Sequence, residues 1–205
     1  SHETIYTAIY AMPRGTLRQE LVALLRQARG ARRPRTRGVD RRGSLQDILS
    51  IHVRPPEAND RLLPGHWEGD LIIGAANRSA VGTLVCRKTL FVMLVKMDGA
   101  TALHALKGYE QAFSPLDEAL RKTLTYDQGK EMALHHTLAK RLHIDIFFCD
   151  PHSPWQRGTN ENTNGLLRQY FPDGMDLAVF TQRQLDAVAR KLNTRPRKTL
   201  GYKTP

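Results

Sequence analysis

Three acidic side chains stand apart from the other acids of this chain: Asp70, Asp127 and Glu161. Asp70 interrupts the apolar run "EGDLII", where an unpaired charge is expensive. Asp127 closes the apolar run "LTYD". Glu161 lies among amides and hydroxyls in "DPHSPWQRGTNENTNGLLRQ" (150–169), flanked by Arg157 and Arg168, and the nearest acids are Asp150 and Asp173. Carboxylates that converge repel one another, and a divalent cation relieves the repulsion. Mg2+ takes oxygen ligands and keeps water or phosphate in its remaining positions. Two such ions about 3.5–4 Å apart clamp an in-line displacement at phosphorus. Amides and hydroxyls around Glu161 suit that chemistry, because they bond phosphates and bases without competing for the metal. Taken singly, each acid has an ordinary reading. An aspartate at a strand end ahead of a glycine is commonly a turn residue, and a lone helical glutamate is commonly solvated. The case rests on the three together, carried on three separate elements.

Whether the acids meet depends on those elements. The runs "GDLIIGA" (69–75), "GTLVCRK" (82–88) and "TLFVMLVKM" (89–97) read as three successive antiparallel strands. A helix follows over 100–113, with Ala102, Leu106, Tyr109 and Phe113 on one face. "KTLTYD" (122–127) is a strand, 130–143 a helix with Leu134, Leu138 and Leu142 inward, and "IDIFFCD" (144–150) a strand. Ser153, Pro154 and Gln156 form a helix start, and the helix that follows carries Glu161. A last helix spans 181–193, with Leu185, Val188, Ala189 and Leu192 on one face. The order β-β-β-α-β-α-β-α-α predicts an α/β fold: a mixed five-stranded sheet with helices on both faces. If the meander sets its first strand beside the fourth, Asp70 and Asp127 meet near the sheet centre. The Glu161 helix can then lean over the same point.

The chain of 205 residues carries 31 Lys and Arg against 20 Asp and Glu, a formal charge of +11. A chain this basic suits a polyanion, and its lack of a long apolar run turns the choice from membrane to nucleic acid. The excess is concentrated in "RQARGARRPRTRGVDRR" (26–42), where eight arginines meet one aspartate. With its Gly and Pro this stretch reads as a flexible linker that neutralises phosphates through Arg32, Arg33, Arg35 and Arg37. Ahead of it, "TLRQELVALLRQ" is helical, with Thr16 and Gln19 as a capping box. "SHETIYTAIY" is helical too, and reads as the end of something longer. After the linker, "IHVRPPEANDRLLPGHWEGD" is an extended lead-in. The expected division is therefore a helical segment 1–28, a basic linker 29–60 and a core 61–205. Cys86 and Cys149 sit in strand-like runs and fit buried free thiols of a reducing cytoplasm.

The segments "GHWEGDLIIG", "LTYDQGKE" and "DPHSPWQRGTNENTNGLLRQYFPDG", with "NTRPRKTLGYKTP" at the end, closely resemble the transposases of the insertion-sequence-thirty family. That family stands within the DDE transposase and retroviral-integrase group. The likeness runs from about residue 45 to the end, and 33 residues separate Asp127 from Glu161, the spacing typical of the family. "SHETIY" resembles the last helix of its N-terminal helix-turn-helix, which makes 1–28 a remnant of a DNA-binding region. The resemblance implies a ribonuclease-H-like catalytic core, with Asp70, Asp127 and Glu161 as metal-binding acids for two Mg2+ or Mn2+ ions. It implies hydrolysis at the element's ends to free a 3′-OH, then attack of that hydroxyl on target DNA. The implied partners are the terminal inverted repeats, the target duplex and further copies of the chain. The implied setting is the bacterial cytoplasm, at the nucleoid.

Weaker expectations surround the acids. Asn164, Gly165 and Arg168 share a helical face with Glu161, and that face would meet the DNA backbone, with Gly165 letting the strand approach. Lys130, His152 and Arg157 are placed to touch phosphate. Trp155 either stacks on a frayed base or packs on the sheet edge. Glu68 shares the strand face of Asp70 and is expected to support it. His135 and His136 read as surface residues. Two other functions compete: a catalytically silent DNA-binding or regulatory module, and a ribonuclease-H-type nuclease that only hydrolyses. Three mutually repelling acids argue against the first, and the "SPWQRGTNE" helix with the "RPRKTLGY" tail against the second.

Overall fold

The computed structural model describes residues 2–24 and 45–205. The chain divides into two compact units, Ser1–Gly43 and Ser44–Pro205. In the first, α1 (His2–Ala11) and α2 (Thr16–Ala23) contact each other. The helix start falls one residue earlier than expected: Gly15, in extended conformation, is the N-cap, and no side chain caps it. The arginine-rich stretch 26–42, with Arg32, Arg33, Arg35 and Arg37, lies outside the described residues.

The second unit runs β1 (Leu49–Ser50), α3 (Pro56–Asn59), β2 (His66–Ile73), β3 (Ala80–Cys86), β4 (Val92–Met97), α4 (Ala102–Phe113), β5 (Thr123–Tyr126), α5 (His135–Leu142), β6 (Asp145–Phe148), α6 (Gly158–Leu167) and α7 (Gln182–Asn193). Its sheet has the order β1-β6-β5-β2-β3-β4. β2, β3 and β4 form the antiparallel meander, while β2, β5, β6 and β1 are parallel. The first meander strand thus lies beside the strand that ends at Asp127, with Glu68 opposite Thr125.

The sheet has six strands where five were expected. The addition is β1, whose two residues are too few to leave an alternation in the sequence. It stands just ahead of the lead-in, which is itself packed: Ile51, Arg54 and Ala58 are buried.

β3 is buried on both faces and its residues alternate between two cores. Ala80, Leu84 and Cys86 join Leu106, Tyr109, Phe113, Leu138 and Leu142 beneath α4 and α5. Val81 and Val85 join Leu167, Leu185, Ala189 and Leu192 beneath α6 and α7. Helices therefore cover both faces, as the element order requires. The helix expected over 130–143 breaks in two. A 3-10 turn, Lys130–Met132, precedes α5 and resets the helical phase. Met132 takes the buried place expected of Leu134, which is 36% exposed, and His135 turns inward while His136 stays outside.

Candidate active site

β2 runs past its pairing with β5, so Asp70 lies just beyond the last paired residue, Glu68. Asp127 follows Tyr126, the last residue of β5. Asp127 thus stands at the C-terminal end of β5 and Asp70 in the part of β2 that extends beyond it, the side on which open α/β sheets present ligand sites. One side chain joins them. Arg157 Nη1 is 3.1 Å from Asp70 Oδ1, and its Nη2 is 3.0 Å from Asp127 Oδ2. Nη1 also donates to the Gly69 carbonyl at 2.8 Å. Gly69 itself has no room for a side chain, since a Cβ would stand 2.7 Å from the Tyr126 ring.

Asp70 is held from several sides. Its Oδ1 accepts from the Leu71 amide at 3.0 Å, and its Oδ2 from Asn164 Nδ2 at 3.0 Å. Burial raises its pKa, and the charge of Arg157 opposes that rise. Asp127 makes the turn that its place ahead of a glycine suggests: Oδ1 accepts from the Gly129 amide at 3.1 Å, while Oδ2 meets Arg157. Glu131, which the sequence did not single out, feels the same charges; burial raises its carboxyl, and Asp127 and Asp70 add to the rise. Beneath the acids, the buried hydroxyls of Tyr109 and Tyr126 lie 3.0 Å apart, and Tyr109 donates to the Asp70 carbonyl.

Glu161 lies on α6, between two residues that touch Asp70. Asn164, three positions on, shares its helical face, while Arg157 precedes the helix as its N-cap in non-helical conformation. The Glu161 side chain is exposed. Among the described residues, no three of His, Cys, Asp and Glu sit close enough to hold a metal together. Two of the three acids are thus gathered, and the third stands exposed on α6.

α6 is aimed by a buried network that sequence reading caught only in part. Glu68, fully buried, accepts from the Asn160 amide at 2.8 Å and pairs with Arg87. Asn160 Nδ2 reaches the Glu68 carbonyl at 2.9 Å, and its Oδ1 accepts from the Thr83 hydroxyl at 2.9 Å. Arg87 also donates to the Ala58 carbonyl, and Arg61 to the Thr159 hydroxyl. Arg54 donates to Thr125 and Asn59; burial, with the like charge of Arg87, lowers its pKa to about 10. The lead-in, β2, β3 and the first turn of α6 are thereby tied together. Upstream, Gln156 donates to Asp150 Oδ2 and accepts from the Asp150 amide, both at 2.8 Å, which sets the loop that carries Arg157.

The remaining expected residues divide. Trp155 is 71% exposed, so it does not pack on the sheet. Lys130 and His152 are exposed near the acids in sequence. Arg168 pairs with Asp173 at 2.8 Å. Gly165 faces open space. Arg157 and Asn164 point at the aspartates.

The donor set fits a hard divalent cation. It is all oxygen, its two aspartates already share one cationic group, and Asn164 Oδ1 beside them is buried without a partner.

Residues 62–154 match the family described as Integrase core domain. The match takes in Asp70 and Asp127 and stops short of Glu161. Along all of its length the chain is 63% identical to the transposase for insertion sequence element IS1086 of Cupriavidus metallidurans, and covers 60% of that protein. It is 44% identical, again over its whole length, to transposase InsI for insertion sequence element IS30A of Escherichia coli, of which it covers 54%. The chain thus spans little more than half the length of these relatives. A chain in the cryo-EM structure of the simian T-cell lymphotropic virus intasome in complex with PP2A regulatory subunit B56 gamma superposes with a TM-score of 0.52. That likeness covers 64% of this chain and 49% of the other at 23% identity, and it bears on the fold alone. The fold is ribonuclease-H-like.

Proposed function

We propose that this chain is the catalytic part of a DNA transposase, which hydrolyses a phosphodiester at an element's end and then joins the freed 3′-OH to target DNA. One observation carries the reading: Asp70 and Asp127, from separate strands, meet at a single guanidinium. The likeness to insertion-sequence transposases supports it.

Asp70, Asp127 and Glu161 would hold the Mg2+ or Mn2+ ions, two per site. Bound there, such ions lower the pKa of the attacking water or hydroxyl and stabilise the leaving oxygen. The chain's own groups supply the rest. Asn164 orients the Asp70 carboxylate, and the Glu68–Asn160 network fixes the helix that brings Glu161. Lys130, His152 and Arg168 take phosphate oxygens, and the open face at Gly165 admits the backbone. Trp155 stacks on a frayed base. Arg32, Arg33, Arg35 and Arg37 neutralise phosphates, and residues 1–28 belong to a DNA-binding region. The partners are the element's terminal repeats and the target duplex. Pairing two ends calls for a dimer or larger assembly, working on the nucleoid of a bacterial cytoplasm. No described helix is long and apolar enough to cross a membrane.

The test is an assay with oligonucleotides that carry candidate element ends. Asp127→Asn should abolish Mg2+-dependent nicking and leave duplex affinity nearly intact. Surviving nicking rejects the site. Nicking without joining points instead to a nuclease, and binding without either to a silent module.

A further inference from the structure

Arg157 does more than sit beside the acids. Its side chain is only 12% exposed, and its two terminal nitrogens engage one oxygen of each aspartate. The other oxygen of each aspartate accepts one hydrogen bond. Asp70 Oδ2 accepts from Asn164 and Asp127 Oδ1 from Gly129. The oxygens through which the two acids are joined are therefore the ones that Arg157 holds. A guanidinium and a divalent ion seek the same lone pairs, and both cannot keep them. The guanidinium also rests 5.8 Å from the centre of the Tyr126 ring, a further cation-binding surface. At the N-cap of α6, Arg157 has a stem long enough to turn its charge outward.

We propose that Arg157 is an internal counter-ion: it holds Asp70 and Asp127 as a pair while no metal is bound, competes with divalent ions for them, and on displacement takes a phosphate of the DNA. This rests on the reading that the two aspartates hold metal, and concerns how that site is loaded. Coupling follows from linkage. A phosphate that favours the outward arginine raises metal affinity, and metal raises DNA affinity by the same factor. The site would then load fully only on DNA, which guards against stray hydrolysis.

Mn2+ binding by isothermal titration calorimetry tests this without any turnover. The titration uses the 205-residue chain as wild type, Arg157→Gln, Arg157→Lys and Asp127→Asn, with and without a short duplex. Removing a competing charge at contact distance should tighten Mn2+ binding in DNA-free Arg157→Gln by about tenfold or more. Arg157→Lys, which keeps the charge and loses the fork, should fall between that variant and wild type. Duplex should tighten Mn2+ binding to wild type and change it little in Arg157→Gln. Equal or weaker Mn2+ binding by Arg157→Gln overturns the proposal, since an arginine that served only to shape the site would lower affinity when removed. If Arg157→Gln does not fold, Arg157→Lys decides, and wild-type affinity there overturns it. Mn2+ binding by Asp127→Asn that matches wild type overturns the metal reading itself, and this proposal with it.

Discussion

Asp70 accepts two hydrogen bonds and an ion pair while half-buried, so its carboxylate cannot wander. Asn164 is the partner whose loss should tell most, because it aims the second oxygen and bonds nothing else through its own. Asn164→Leu keeps the shape and removes the donor. Groups that orient metal ligands are worth about 10–100-fold in metal affinity or activity, and nicking should slow by that much while the melting temperature holds. A rate within twofold of wild type would make Asn164 a bystander. The aspartates were legible in the sequence because a charge in an apolar strand needs a reason. Arg157 was not legible in this role. An arginine before a polar helix reads the same whether it faces water, phosphate or two acids distant in the chain. Asn164 carried the right stripe and the wrong partner, since its spacing from Glu161 gives a face and not what that face touches.

The elements that aim these residues depend on charges buried where sequence patterns show only apolar runs. Glu68 is fully buried and pairs with Arg87, and the same carboxylate receives the amide of Asn160. Removing one partner of such a pair leaves the other charged and unpaired, at about 3–5 kcal/mol. Arg87→Met should lower unfolding stability by that amount, read from denaturant titration. Replacing both, Arg87→Met with Glu68→Gln, should recover part of the loss. A single variant as stable as wild type would remove the pair from the support of α6. Strand order and the last helix's face were readable because a short apolar run survives in "GTLVCRK" and helical spacing in "TQRQLDAVARKLN". β1 was not, being two residues whose strand character comes from β6. The shift that buries His135 was also hidden, because a 3-10 turn changes helical phase without a distinct residue pattern.

At the scale of the molecule, folding withdraws ionisable groups from water, and stability must follow pH. Burial lowers the pKa of His66 and of His135 below the ordinary 6.5. The folded chain then binds fewer protons than the unfolded one below about pH 6.5. Stability is full above that pH and is lost as pH falls through it, by up to about 1.4 kcal/mol per pH unit for each histidine. Burial raises Asp70 and Glu131, which gives the opposite slope above their ordinary range. Denaturant titrations at pH 7.5 and 5.5 should therefore show lower stability at 5.5, and His135→Gln should narrow the gap. An unchanged gap in that variant would mean that His135 titrates freely in the folded chain.

The acid triad stands or falls on its third member, which lies on the right stripe but outside the gathered pair. Glu161→Gln removes the charge and keeps the shape. With a pre-nicked element end and Mg2+, strand transfer by this variant should fall by about 10³-fold or more, the loss of several kcal/mol of charge stabilisation, with duplex affinity unchanged. Transfer within a few-fold of wild type would show that two aspartates suffice and that Glu161 is a solvated helix residue.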